Sequence, residues 1–176
     1  VNSAISGNQG GSAIAAIQPD AGANNLATGG FVVTWGGTSD GSGAGVNAQI
    51  FQLDGTPIGA EFLVNVSTTN TQTRSDVVGL NGGRFVVVWD DDNSLDGSGH
   101  GVFARVFNGD GTAVTGQFQV NVETSSTQFE PAITATPDGG FAISWSSLSS
   151  GPAGDGSGFG IFARNFDADG VALTGE

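Results

Sequence analysis

The sequence predicts an all-β protein made of three four-stranded antiparallel meander repeats. Three observations predict it. A run of apolar residues ending in Trp recurs as GGFVVTW, GGRFVVVW and GGFAISW, closing at Trp35, Trp89 and Trp145. The loop DGSG follows each run, beginning at Asp40, Asp96 and Asp155. No window carries the 3.6-residue apolar stripe of a helix, whereas short runs of Val, Ile, Phe and Thr are bounded everywhere by Gly, Asp, Asn or Pro.

Further anchors fix the copy boundaries at 1–63, 64–119 and 120–176, all within a single repeat domain, 1–176. Val-Asn recurs at Val1-Asn2, Val64-Asn65 and Val120-Asn121, each Asn followed seven residues later by Gln9, Gln72 or Gln128. A Phe closes the third run at Phe51, Phe107 and Phe166. The extra length of the first copy is the insertion DAGANN.

Taken in order within the second copy, SDVVGL is the first strand and FVVVW the second. Both faces of the second are apolar, so it should be buried on both sides. GVFARVF is the third strand, with Phe103, Arg105 and Phe107 on one face, and GQFQVNV is the fourth. Asn81-Gly82, Asp138-Gly139, Asp54-Gly55, Asp110-Gly111 and Asp169-Gly170 are expected to make type I′ hairpins, with both central residues at positive φ. Each copy thus resembles a β-propeller blade, which runs ~40–50 residues in the common classes. A three-fold β-trefoil or β-prism is the alternative. The chain starts with the Val-Asn that its third copy lacks after Leu173-Thr174-Gly175-Glu176, so a split fourth strand could close a ring or join chains head to tail.

Composition narrows the function. Seventeen acidic residues against four basic ones, Arg74, Arg84, Arg105 and Arg164, give a net charge of −13. Such a surface repels phosphate backbones and anionic lipids, which argues against nucleic acid and membranes as partners and favours divalent cations. There are 12 Phe and 3 Trp, too many aromatics for disorder, and no Cys, so rigidity must come from repetition or metal. No run reaches the ~18 apolar residues of a membrane helix, and no signal peptide is visible.

The pattern GGFVVxW…DGSGxGVFARxF…GxFxVN resembles a repeat of large secreted bacterial proteins of the RTX and adhesin type. The first copy diverges most, with Asn47 and Gln49 in place of Phe and Arg, and the RTX nonapeptide itself is absent. The resemblance implies an extracellular or cell-surface protein of tandem propeller-like repeats, often accompanied by calcium-binding segments.

Candidate site residues follow the repeats. DGSG offers either a Ca²⁺ loop or an Asx turn. The candidate ligands are Asp40, Asp96 and Asp155, with Asp90 and Asp92 beside the second copy's loop. Asn108-Gly-Asp110-Gly and Asp167-Ala-Asp169-Gly lack the acidic twelfth position of an EF-hand and are expected to be hairpin turns. Trp35, Trp89 and Trp145 are either core anchors or sugar-stacking platforms. The repeated Asn and Gln residues are expected to bond backbone, and Asn65-Val66-Ser67 fits a glycosylation sequon. His100, the single histidine, should be solvated in its Gly loop. No carboxylate pair stands out from the repeat, which favours a non-enzymatic reading. The expected function is an extracellular structural or adhesive repeat that self-assembles and is stabilised by Ca²⁺. The alternative is a carbohydrate-binding, lectin-like module with one site per repeat and glycans as partners.

Overall fold

The computed structural model describes residues 7–20, 26–38, 41–92, 95–148 and 158–176. They form eleven strands and one short 3₁₀ turn, Asn81–Gly83. The first sheet is β1 (Gln9–Ile17), β2 (Gly30–Gly37), β3 (Gly45–Gln52) and β4 (Pro57–Leu63), in sequence order and antiparallel throughout. The second repeats this order with β5 (Gln72–Gly79), β6 (Phe85–Asp91), β7 (Gly101–Phe107) and the two-residue β8 (Phe118–Gln119). The third holds β9 (Gln128–Ala135), β10 (Phe141–Ser147) and β11 (Gly160–Phe166). The three sheets follow one another like blades, β1 packing on β5 and β5 on β9, but none closes into a barrel or a complete propeller.

The expected four strands per copy are found in two copies only. In the third, the segment after β11 makes the bridge that also follows β7, Phe166 with Ala172 as Phe107 with Ala113, and the counterpart of β8 would fall after Glu176. Among the described residues no helix is long and apolar enough to cross a membrane.

The doubly apolar run of the second copy is buried on both faces, as its pattern requires. Phe85, Val87 and Trp89 join Val32, Val46, Ala48 and Ile50 in a core between the first and second sheets. Val86 and Val88 turn the other way, joining Val102, Ala104, Val106, Phe141, Ile143 and Trp145 between the second and third. In β11 the corresponding outer face is Ile161, Ala163 and Asn165; it is exposed, Ile161 to 76%.

At Asn81-Gly82 the expected type I′ turn is instead the 3₁₀ turn, with Gly82 and Gly83 both at positive φ (71° and 75°), and the other four hairpins differ from type I′ in one respect. Only the glycines, Gly55, Gly111, Gly139 and Gly170, take positive φ (80–94°); the preceding Asp residues do not. Gly55 N donates to Gln52 O (2.9 Å) while Gln52 N donates to Thr56 O (2.8 Å), a type I turn followed by a left-handed bulge glycine. The same pair of bonds recurs at 108–112, 136–140 and 167–171. The Asp prefers this turn because its carboxylate accepts a backbone N–H two residues on, as Asp54 Oδ1 does from Thr56 N (2.9 Å) and Asp110 Oδ1 from Thr112 N (2.8 Å). The Thr56 N–H holds the Asp54 carboxyl below its ordinary pKa, and the Thr112 hydroxyl, with the Thr112 N–H, does the same for Asp110; the two EF-hand-like segments are hairpin turns.

The first strand of each repeat carries a bulge. Its register against the second strand shifts at Gly11, Arg74 and Glu130, all left-handed with φ of 63°, 49° and 54°. In the second copy the bulge residue Arg74 pairs with Asp90 near the end of β6.

Candidate functional site

The repeated Asn and Gln residues bond the repeats together. Asn65 Oδ1 accepts from Val46 N (2.8 Å), and its Nδ2 donates to Gln72 Oε1 (3.0 Å) and Ser67 O (2.7 Å). Asn121 does the same with Val102 N (2.9 Å), Gln128 Oε1 (3.2 Å) and Glu123 O (3.0 Å). Asn65 is buried in this network, which takes the sequon asparagine out of reach.

Asp96 is part of the same structure. Its Oδ2 accepts from Asn121 Nδ2 (2.9 Å) and its Oδ1 from Ser98 N (3.2 Å), an Asx turn. Asp92 Oδ1 accepts from Thr71 N (2.7 Å). Asp90 is ion-paired to Arg74. The three carboxylates therefore serve separate protein partners, and among the described residues no group of three His, Asp or Glu is placed to hold a metal. Asp40 and Asp155 lie outside the described residues.

Trp35, Trp89 and Trp145 are buried, and the indole N–H groups of Trp89 and Trp145 meet no hydrogen-bond partner. Trp145 stacks on Phe162 at 6.3 Å. Their faces are spent on the core, so they are strand-end anchors and not stacking platforms for sugar.

A different cluster stands out, and it breaks the repeat. The bulge residue is Gly11, Arg74 and Glu130 in the three copies; the residue after Trp is Gly36, Asp90 and Ser146; the residue after DGSG is Ala44, His100 and Phe159. Only the second copy places a cation, a carboxylate and an imidazole at these positions. Comparing the copies position by position for their differences would have found it; the search for a single pair of carboxylates missed it.

Asp90 is the penultimate residue of β6 and is 1% exposed. Its Oδ1 accepts from Thr73 Oγ1 (3.0 Å), and its Oδ2 pairs with Arg74 Nη1. Burial raises the Asp90 pKa; the adjacent Arg74 charge and the Arg74 and Thr73 bonds offset part of the rise. His100 is not simply solvated, as its glycine-rich loop suggests. Its Nδ1 is buried without a hydrogen-bond partner and faces Asp90 Oδ2 at 3.9 Å, while the side chain as a whole is 39% exposed.

The third repeat completes the cluster with aromatic rings. The half-exposed Arg74 guanidinium lies over Phe129, 5.9 Å from the ring centroid. Phe129 meets Phe159 edge-on at 5.4 Å, and Phe159 is 59% exposed. The seam is locked by Gln128 N donating to His100 O (2.9 Å), which draws the start of β9 against the loop before β7. The result is an exposed Phe159 ring set edge-on against Phe129, beside the half-exposed Arg74 and His100, with Asp90 buried behind them.

The opposite end of this seam has an open cavity of about 540 Å³ lined by Arg84, Asp138, Asp167 and Asp169 among others. Its carboxylates are committed: Asp167 and Asp138 to turn amides, Asp169 to Arg84 at 2.7 Å.

No family model matches the chain, and no curated protein matches it. Among solved structures it is similar to an endo-arabinase from Bacteroides thetaiotaomicron VPI-5482, at 16% identity and a TM-score of 0.43, over 76% of this chain and 51% of that one. The chain thus spans about half the length of that protein. The solved structure named here is an endo-arabinase and not an RTX or adhesin repeat, and the expected resemblance to that repeat type is corrected. The non-enzymatic reading, and the structural, self-assembling adhesin built on that resemblance, are withdrawn with it.

Proposed function

We propose that the chain binds a saccharide at one site, the DGSG end of the seam between its second and third repeats. The observation that carries this is the Phe129–Phe159 platform set against the Arg74–Asp90 pair, present in only one copy. Sugars present an apolar C–H face and an edge of hydroxyls. An exposed aromatic beside planar donors and acceptors complements both. The site differs from the expected one per repeat in number and in its residues, since Phe rings take the role first given to Trp. We read the three sheets as propeller-like blades, which place such a site at strand ends. An extracellular location suits the reading, as a chain without Cys has no thiol to oxidise there.

The test is a titration of the intact protein with neutral gluco-, manno-, xylo- and arabino-oligosaccharides by calorimetry, with reducing-end release measured in the same samples. One molecule bound per chain is expected, with Phe159→Ala weakening binding about tenfold at unchanged Tm. Three equivalent sites, or full affinity in Phe159→Ala, would sink the proposal. Ca²⁺, expected of the DGSG loops, is assayed by repeating the titration with chelator: affinity that survives assigns binding to the protein groups alone.

A further inference from the structure

The buried nitrogen of His100 has a consequence for what the site accepts. Neutral imidazole carries its proton on one nitrogen and a lone pair on the other. Nδ1 is enclosed, has no hydrogen-bond partner, and faces the carboxylate Oδ2 of Asp90 at 3.9 Å. A lone pair turned toward that carboxylate would be repelled, whereas an N–H is attracted. Asp90 is itself fixed by Thr73 and Arg74, so it cannot turn away. Because Nδ1 is enclosed, the 39% exposure of the side chain belongs to the rest of the ring.

We propose that Asp90 holds His100 as the Nδ1–H tautomer, so that Nε2 accepts a hydrogen bond from a ligand hydroxyl beside the donating edge of Arg74. This rests on the saccharide reading and sharpens it. Arg74 donates, and His100 accepts, so the pair fits adjacent hydroxyls of which one is acceptor and the other donor. A vicinal diol meets that requirement. His100 is then a specificity-determining residue, with Asp90 acting through it as a positioning residue.

The chain contains one histidine, so its imidazole nitrogens give an unambiguous long-range proton–nitrogen spectrum. At about pH 8, where a histidine is ordinarily neutral, the free protein is expected to show the Nδ1–H form. Asp90→Ser, which installs the residue of the third copy, is expected to shift it toward Nε2–H. His100→Ala, which installs the residue of the first copy, should retain the fold and weaken binding of the neutral oligosaccharides about fivefold to tenfold, one hydrogen bond's worth. An Nε2–H spectrum in the free protein, or unchanged affinity in His100→Ala, overturns the inference and leaves the saccharide reading standing. No binding of any oligosaccharide by the unsubstituted protein overturns the saccharide reading and, with it, the role given to Nε2.

Discussion

Asp90 shows how one substitution in a repeat becomes a site. The first and third copies place Gly36 and Ser146 at this position, neither of them charged. A buried carboxylate at the same place needs partners, and the bulge supplies Arg74 and the strand supplies Thr73. The charge is still held at a disadvantage, since burial outweighs those partners and the Asp90 pKa is raised. A raised carboxyl contributes stability that is fully present below the ordinary carboxylate range and lost as pH rises through the raised value. Asn does not titrate. The Tm of the unsubstituted protein minus that of Asp90→Asn is therefore expected to fall as pH rises from about 3 to about 7. A difference that is flat or that grows with pH in thermal melts would contradict this account.

Little of this cluster was legible in the sequence. Arg74, Asp90 and His100 were each visible, but they lie on a bulge, a strand end and a loop, and neither one-residue motifs nor spacing links them. The bulge was the hidden step: Arg74 at φ 49° is aimed by a left-handed backbone that a non-glycine residue rarely adopts and that nothing in QTRSD announces. Phe129 and Phe159 come from another repeat altogether. The Trp residues, by contrast, close apolar runs visible in the sequence, and all three are buried.

At the scale of elements, the hairpins depend on one left-handed glycine each. Gly55 is the cleanest case, with φ 86° and nothing within 4 Å of an added Cβ. Gly55→Ala is expected to cost about 1 kcal/mol in denaturant melts, the strain of a left-handed L-residue without any clash. Gly111, equally left-handed, adds a Phe62 ring atom 3.1 Å from the new Cβ, so Gly111→Ala should cost more than Gly55→Ala. Equal losses would mean that the packing of Phe62 onto this turn is loose. The D-G pairs revealed in the sequence where the turns are. They did not distinguish a type I turn with a bulge glycine from type I′, because both place Gly at the last left-handed position.

At the scale of the molecule, the sheets are pinned by arginines that reach the residue just beyond the preceding sheet's last strand. Arg105 stacks on Phe107 (5.2 Å), donates through Nε to Thr115 O (3.2 Å) and through Nη1 to Val64 O (3.0 Å). Arg164 repeats this with Phe166, Thr174 O and Val120 O. In the first copy Gln49 stands in their place and, among the described residues, donates to carbonyls of its own sheet, Ile50, Ile58 and Gly59. Gln117 accepts from Val66 N (2.9 Å) and Glu176 from Val122 N and Glu123 N (2.8 Å each), stapling the same junctions. Arg105→Ala is expected to lose about 1–3 kcal/mol, because two carbonyls lose their donor at once. Arg105→Lys should recover only part of it, since an ammonium cannot reproduce the planar fork. A fully stable Lys variant in chemical denaturation would show that charge alone, and not the two-carbonyl geometry, holds the junction.

The sequence by itself determined the repeat, the β-class, the strand order within each copy and the double burial of FVVVW. All of these follow from periodicity and turn residues, which act over a few residues at a time. Only the tertiary structure decided that the DGSG aspartate of the second copy closes an Asx turn against Asn121, and that Arg74, Asp90, His100, Phe129 and Phe159 share one corner. Those outcomes depend on how one sheet is laid on the next. That packing is set by contacts between residues up to a repeat apart, which local patterns do not encode.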